Sequence, residues 1–387
     1  MKIVHIAPNS PYNDYWGYQD NLLPKYQKKL GHDVTVIITN LMHENGKKVE
    51  TECGDYVLND GVRVIRRPYK KYPHRILNYL NSRLEGVYSL LLELKPDFIF
   101  FHGLVSTTIF DAIQYKKKCN PNCVIVRDNH QDYNIGMKRE CLSDKAVCAW
   151  HRTQNRRSIK YVDRVYGVTP WRKTYAEDYF QIPSQKTDVL IMGADDEKID
   201  FEHRREIRDS IRKRYNVSEQ DFLIVTGGKI DQKKKIHLLM EAVGKVDGVK
   251  LLIFGQVHEE IKDEFERLLN ENSNIVYIGW IDANRVYDYF FAADIVMFPG
   301  QHSVLWEQAC AAKVPCVFER WDGMDHVDNG GNSDFFEVVT CDSIEEKIKE
   351  LRFTPKYKQM KEIAQSERTD IYLYSRIAEK SLECAKK

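Results

Sequence analysis

The sequence lacks long hydrophobic runs. The first segment, MKIVHIAPNS, turns polar after about seven residues, whereas a membrane-spanning helix needs roughly 18 consecutive apolar residues and a secretory leader needs a longer apolar core. We therefore expect neither a leader nor a membrane span, and we predict a cytoplasmic protein.

Paired cysteine motifs are also missing. The chain has nine cysteines, an odd number, and no CxxC pair. Cys119 and Cys123 are four residues apart, with no second cysteine or histidine pair at metal-ligand spacing nearby. This pattern disfavours a disulfide framework or a zinc site and is typical of free thiols in a reducing compartment.

Positive and negative residues are nearly equal in number. Lys and Arg number 58 and Asp and Glu 57, which leaves a net charge of +1. Binding to nucleic acid needs an excess of cationic contacts to phosphate. We therefore expect no nucleic-acid partner.

Apolar runs alternate with segments of helical periodicity. Lys2–Ala7 is a short apolar run, Asn21–Leu30 has apolar residues at helical spacing, and Asp33–Ile38 is apolar again. This order predicts the β–α–β opening of a doubly wound sheet. Continuous runs such as Phe98–Phe101 indicate buried parallel strands.

The same alternation restarts in the second half. The predicted strands there are Phe222–Thr226, Lys250–Phe254, Ile275–Ile278, Ile295–Phe298 and Cys316–Glu319, with helical segments between them. Two such successions predict an α/β protein with two Rossmann-like domains, over residues 1–190 and 191–368. Residues 369–387 are predicted to form a terminal helix that crosses back to the first domain. Ligands of such domains bind at the carboxyl ends of the strands, here in a crevice between the domains.

A glycine- and lysine-rich loop follows the first strand of the second domain. Thr226–Lys235 reads TGGKIDQKKK and stands directly between a strand and a helix. Glycines there let the backbone approach an anion, and the helix start offers free N–H groups. Lys229 and Lys234 could neutralise a diphosphate, and the alternative is a solvated run of lysines.

These motifs resemble, in order, those of the GT-B glycosyltransferases, in particular the retaining family 4. The family has Gly-Arg-Leu, three residues, then Lys-Gly, where this chain has Gly228-Lys229-Ile230, three residues, then Lys234-Lys235. Gly17 stands alone where the family carries a glycine pair over the donor phosphates. Further matches are Leu30–Val36, Lys95–Gly103, Ile191–Asp195 and Ala292–Ile295.

The resemblance implies a donor site in the second domain. Lys229 and Lys234 would hold the donor diphosphate, with Gly17 and Gly228 close to it. The first glutamate of the family's pair is missing, and Gly300, Gln301, His302 and Ser303 stand in its place. We expect this loop to face the donor sugar, and the alternative is that Ser303 serves only as the N-cap of the next helix. The second glutamate, which holds the ribose, corresponds to Glu307 or to Gln308, and the sequence does not separate them.

A polar cluster follows a buried strand of the first domain. The resemblance implies that His130 contacts the donor sugar, and the alternative is a histidine on a surface turn. Asp128 or Asp132 could act as a base toward an acceptor hydroxyl. His102 is either an acceptor-side residue or a packed histidine at a strand end.

The activity that the resemblance implies is retaining hexosyl transfer from a nucleoside-diphosphate sugar, in particular a UDP-sugar. The acceptor would be a hydroxyl of a glycan or lipid-linked glycan in the biosynthesis of a cell-surface polysaccharide such as a capsule. No cofactor and no metal are expected. A UDP-sugar 2-epimerase and a catalytically silent GT-B subunit that supports a partner enzyme stay open as alternatives.

Basic and aromatic residues gather in Arg66–Arg83 and His151–Arg164. Such clusters suit docking on an anionic bilayer, so peripheral attachment at the inner membrane face is a hypothesis beside the ordinary solvated surface.

Overall fold

The computed structural model describes residues 1–44, 46–134, 136 and 141–386. The chain divides into two compact units, one of Met1–Ile191 with Tyr374–Lys387 and one of Met192–Leu373. The boundaries expected from the sequence lie after residues 190 and 368. In the part of the chain that the structure describes, no helix is long and apolar enough to cross a membrane.

The first unit is built on one large sheet. Its elements in chain order are β1 (Lys2–Ala7), α1 (Gln19–Lys29), β2 (Asp33–Thr39), β3 (Leu41–Glu44), β4 (Lys47–Glu50), β5 (Asp55–Val57), β6 (Arg63–Arg67), α2 (Arg75–Asn81), α3 (Val87–Leu94), β7 (Phe98–Phe101), α4 (Ile109–Lys118), β8 (Val124–Asn129), α5 (Leu142–Ser158), β9 (Arg164–Gly167), α6 (Pro170–Phe180) and β10 (Thr187–Val189). The sheet order is β10-β9-β8-β7-β1-β2-β6-β5. All neighbours are parallel except β5 on β6, and β3 and β4 form a separate antiparallel pair.

The second unit repeats the plan around a smaller sheet. Its elements are α7 (Arg204–Arg214), β11 (Phe222–Ile230), α8 (Ile236–Gly244), β12 (Val249–Val257), α9 (Lys262–Glu271), β13 (Ile275–Gly279), α10 (Val286–Ala292), β14 (Ile295–Phe298), α11 (Leu305–Ala311), β15 (Cys316–Glu319), β16 (Ser333–Phe336), α12 (Cys341–Leu351) and α13 (Pro355–Gln365). The order β13-β12-β11-β14-β15-β16 is parallel throughout. Helices cover both faces of such sheets, which explains why strands such as β7 and β14 are buried along their whole length.

The carboxyl-terminal helix α14 (Tyr374–Ser381) packs on α1 in the first unit. Tyr374 stacks on Tyr26 with ring centroids 6.2 Å apart. The buried amide of Gln27 donates to the hydroxyl of Ser381 at 2.9 Å. The helix is shorter than the predicted 369–387 segment because Glu367–Tyr372 forms a 3-10 turn and Leu373 bridges to Ala194.

A buried carboxylate anchors α7 to the sheet of the second unit. Asp294 accepts hydrogen bonds from Arg208 at 2.6 Å, from Arg212 at 3.0 Å and from the backbone N–H of Leu223 at 2.8 Å. The Asp294 carboxylate and the two guanidinium groups are thus paired with opposite charge, which offsets the cost of removing them from water. The motif around Asp294 therefore serves the fold here.

Two sequence predictions differ in detail. The strand predicted to end at Thr226 continues to Ile230, because β11 and β12 stay paired in register over nine residues. Ser303 is not the N-cap of α11, so that prediction is wrong. The helix begins at Leu305 after Val304, which makes no side-chain cap bond, and Ser303 contributes only its carbonyl, to the N–H of Trp306.

Candidate functional site

Two glycines meet where β11 and β12 end. Gly228 and Gly255 are direct neighbours in the parallel register, with φ of +102° and +120°. A Cβ on Gly255 would lie 1.9 Å from the carbonyl oxygen of Gly228. Only glycine allows both the backbone conformation and this close approach. The missing side chains leave space at the carboxyl end of the sheet.

A cavity of about 150 Å³ opens beside this glycine pair. It lies entirely within the second unit and is lined by Gly228, Phe254, Gly255, Trp280, Ile281, Ala283, Val286, Leu305 and Gln308. The Trp280 side chain is largely exposed, and Gln308 brings an amide to an otherwise apolar lining. An apolar slot with one convergent polar group suits a flat ligand with a polar edge.

The end of β11 and the turn after it carry two ammonium groups, those of Lys229 and Lys234, in different surroundings. Lys234 Nζ donates to the carbonyl of Gln301 at 2.5 Å and to that of His302 at 3.2 Å. Burial lowers the pKa of Lys234 to about 8, with Asp231 opposing and Lys229 reinforcing the effect. The Lys229 side chain is mostly exposed, and its ammonium lies 2.9 Å from Asp231 Oδ2. The Lys234 ammonium is thus fixed by two carbonyls, whereas the Lys229 ammonium is exposed and paired with Asp231.

The loop before α11 packs directly on this turn. A Cβ on Gly300 would lie 2.4 Å from the carbonyl oxygen of Lys233. The N–H of Gln301 donates to the same oxygen at 3.1 Å. The turn at Lys233 and Lys234 is therefore in direct contact with the Gly300–Ser303 loop.

Gln308 and Glu307, the two candidates for the ribose position, lie in different surroundings. Gln308 lines the cavity. Glu307 has no exposed surface, and its Oε1 accepts from Nε2 of His302 and of His326, each at 2.8 Å. Successive helical residues point about 100° apart, since a turn takes 3.6 residues. The geometry thus assigns the cavity to Gln308 and encloses Glu307, whose predicted contact with the donor this structure does not show.

Glu307 is held as a carboxylate by the two histidines. Burial alone raises the pKa of Glu307, but the charges and hydrogen bonds of His302 and His326 lower it below its ordinary value. His326 lies 19 residues after Glu307 in a 3-10 turn and belongs to no motif that the sequence offered. In the sequence, only its being a histidine indicated that His326 could belong to a site.

In the first unit a chain of hydrogen bonds runs inward from the end of β8. His130 Nε2 lies 3.2 Å from Asp128 Oδ2, and the same oxygen lies 2.8 Å from His102 Nδ1. His102 Nε2 is 3.0 Å from His5 Nδ1, and His5 Nε2 is 2.7 Å from Gln27 Oε1. Of these side chains only that of His130 has substantial exposure.

The partners of this chain assign its protons. Ser381 donates to the carbonyl of Ala378 at 2.6 Å, so its oxygen accepts from the amide nitrogen of Gln27. The amide oxygen of Gln27 then requires His5 to donate from Nε2. Because burial keeps His5 neutral, its Nδ1 accepts. His102 must donate to His5 from Nε2 and to the carboxylate from Nδ1. His102 is therefore an imidazolium.

Electrostatics agree with this assignment. Burial lowers the pKa of His102, but the adjacent Asp128 carboxylate raises it more. Burial and the neighbouring His102 lower the pKa of His5 to about 3. Burial alone raises the pKa of Asp128, and His102 and His130 bring it well below its ordinary value. An ion pair of His102 and Asp128 thus stands behind the more exposed His130.

Two other predicted residues lie apart from this chain. Asp132 is buried, pairs with Arg172 Nε at 3.2 Å and accepts from the N–H of Asn134 at 2.9 Å, so its carboxylate stabilises the local turn. Gly17 is exposed, and a Cβ there would meet nothing within 4 Å. The conformation at Gly17 does not require glycine.

Fold and strand-end geometry define a class, a doubly wound α/β protein with a glycine-lysine turn beside an apolar slot. Known sequences give the family. The profile described as Glycosyltransferase Family 4 matches residues 22–198, and the one described as Glycosyl transferases group 1 matches residues 207–367. The chain belongs to the GT-B glycosyltransferases of the family 4 type.

Individual relatives are distant. The processive diacylglycerol alpha-glucosyltransferase of Acholeplasma laidlawii is 24% identical over 171 residues, which are 41% of this chain and 50% of that protein. The chain thus spans about half the length of this relative. A glycosyltransferase structure from Rickettsia africae gives a TM-score of 0.71 at 16% identity, over 99% of this chain and 97% of the other. Anabaena HepE in complex with UDP gives 0.67 at 14%, over 100% of both. At these identities the structures share the fold.

The proton assignment predicts a nuclear magnetic resonance signature. At pH 7 the two ring nitrogens of His102 should both carry protons, whereas His5 should be neutral and protonated at Nε2. In Asp128→Asn the imidazolium loses its counter-charge, so the pKa of His102 should fall. Nitrogen-15 shifts of the histidine rings measure both, with the exposed His203 as a reference signal. A neutral His102 in the wild type would contradict the assignment.

Proposed function

We propose that this chain is a glycosyltransferase that moves a hexose from a UDP-sugar to a hydroxyl of a glycan or lipid-linked glycan, with retention at the anomeric carbon. The observation that carries the proposal lies in the second unit. There an apolar slot with the Gln308 amide adjoins a turn that carries the buried ammonium of Lys234. A nucleoside diphosphate offers a flat base, ribose hydroxyls and two phosphates, which match these three features.

In this proposal each group has one task. Trp280 and the glycine pair receive the base, and the amide of Gln308 bonds a ribose hydroxyl. Lys234 and Lys229 stabilise the diphosphate as it becomes anionic, which supplies charge where the leaving group develops it. The acceptor hydroxyl attacks the anomeric carbon on the face that the diphosphate leaves, and its proton passes to a departing phosphate oxygen. No protein nucleophile, cofactor or metal takes part in this reaction.

His130 is assigned to the donor sugar. The ion pair of His102 and Asp128 fixes one ring nitrogen of His130 and leaves the ring oriented by a buried carboxylate. A hydrogen bond from such a ring to a sugar hydroxyl costs little conformational entropy, because the side chain is already ordered. Asp128 acts here as a positioning residue, since it has no exposed surface.

The relatives support the donor and the acceptor class. The Anabaena protein of the same fold holds UDP, and the Acholeplasma relative is named for a diacylglycerol acceptor. In the first unit α2 exposes Ile76 and Tyr79 beside the basic Lys70–Lys71 segment. Such a surface suits contact with the anionic membrane face on which lipid-linked acceptors lie.

A catalytically silent subunit is the second candidate. It is favoured by one observation, namely that Glu307 is enclosed by two histidines while the family's first glutamate is missing. A silent subunit does not consume donor. A 2-epimerase converts UDP-sugar to an epimer without acceptor, so product analysis with and without acceptor separates all three functions.

Thermal unfolding in the presence of UDP tests the donor site. UDP at ~100 times its dissociation constant should add about 2.7 kcal/mol to the free energy of unfolding, so the melting temperature rises. In Lys234→Gln the shift should be largely lost, because the held ammonium is gone. Lys233→Gln is the matched control, since that side chain is exposed on the same turn. The absence of any shift with millimolar UDP or GDP would count against the enzyme and for the silent subunit.

The pKa of Lys234 sets a pH dependence for UDP binding. The free ammonium titrates near pH 8, and a bound diphosphate raises its pKa, so binding takes up a proton above that value. The contribution of the Lys234 ammonium to UDP affinity is fully present below about pH 8 and declines as the pH rises through 8 toward 10. Lys234→Arg keeps its charge throughout this range and should lose the decline. Calorimetry from pH 7 to 9.5 measures both, and equal slopes in the two proteins would refute the assignment.

A further inference from the structure

Three side chains in the second unit form a compact cluster that the transfer reaction does not use directly. They are His302, Glu307 and His326. Nε2 of each histidine lies 2.8 Å from Glu307 Oε1, and the ligand atoms all lie within 4.8 Å of one another. The side chains are 7%, 0% and 7% exposed. Two imidazoles and one carboxylate thus converge in an interior position.

Two polar atoms of this cluster have no hydrogen-bond partner among the described residues. Both histidines share Oε1, whereas Glu307 Oε2 is buried and has no hydrogen-bond partner in the described chain. Nδ1 of His326 is likewise buried and unpartnered. An unsatisfied buried polar atom costs on the order of 1–3 kcal/mol. A cation bound by the two Nε2 atoms could coordinate either or both carboxylate oxygens and so relieve the imbalance at Glu307.

We propose that His302, Glu307 and His326 bind a divalent transition-metal ion, with Zn²⁺ as the best fit. Two imidazoles with one carboxylate are a donor set that zinc uses, at ligand distances of about 2.0–2.2 Å. The present N···O separations would widen by roughly half an ångström in tetrahedral geometry. Mg²⁺ and Ca²⁺ are poorer fits because they prefer oxygen ligands throughout.

The position of the site gives the ion a structural role. His302 lies in the loop whose carbonyls accept from Lys234, and the carbonyl of His326 accepts from the Tyr372 hydroxyl at 2.8 Å. An ion there would join this loop to α11 and to the turn Asp325–Val327. Because the ligands are enclosed, the ion serves to hold the loop. The inference stands independently of the transfer reaction.

Metal binding to the whole protein tests the site. Protein stripped with a chelator and dialysed is titrated with ZnCl₂ in competition with a chromophoric chelator. We expect one equivalent to bind per chain and the melting temperature to rise. In His326→Gln the affinity should fall at least about tenfold. His203→Gln is the matched control, because His203 is an exposed histidine of the same unit that pairs with Asp200, and it should leave the affinity unchanged.

Co²⁺ supplies a second readout. It should give the visible absorption bands of a tetrahedral site in the wild type, and Zn²⁺ should displace them. Should His326→Gln fail to fold by circular dichroism, His302→Gln takes its place.

The proposal is overturned if the stripped wild type binds less than a stoichiometric amount of Zn²⁺, or if His203→Gln loses affinity as much as His326→Gln does. UDP protection, measured on the stripped and the zinc-loaded protein, reports on the donor site separately. Failure of one proposal is therefore distinguishable from failure of the other.

Discussion

The candidate donor site depends on one buried ammonium. Lys234 bonds the carbonyls of Gln301 and His302 and so ties the turn after β11 to the loop before α11. On the helix that follows this loop, Gln308 lines the slot while Glu307 is fully buried. The lowered pKa of Lys234 is the electrostatic consequence of its burial. The negative charge of a bound phosphate would offset the cost of burying the Lys234 ammonium.

Both units collect polar side chains at the carboxyl ends of parallel strands, but they do so differently. In the second unit Gly228 and Lys229 lie at the end of β11 and further lysines follow it, so this end of the sheet is cationic. In the first unit the strands carry His5, His102 and Asp128, and His102 is hydrogen-bonded to both of the others. The strand ends of the second unit thus carry cationic groups, and those of the first unit order a single more exposed histidine.

The alternation of apolar runs was sufficient to predict the two sheets, and β1, β7, β14 and β15 match the predicted bounds. Buried parallel strands are easy to find because their apolar runs are continuous. The choice between Glu307 and Gln308 could not be made from sequence, since it depends on which helical face packs inward. The link between His5 and His102 spans 97 residues, and His326 stands outside every motif, so only tertiary structure brings these histidines to their partners.

The central proposal is that a nucleoside diphosphate binds in the second unit, with its base in the cavity beside the glycine pair and its phosphates at the lysine turn. Hydrogen–deuterium exchange with and without UDP tests it most directly, because exchange locates protection along the chain. The account predicts slower exchange in residues 226–235 and 300–308, where backbone N–H groups at the turn and loop become shielded. If UDP binds and slows exchange elsewhere but leaves both segments unchanged, the site assigned here is wrong.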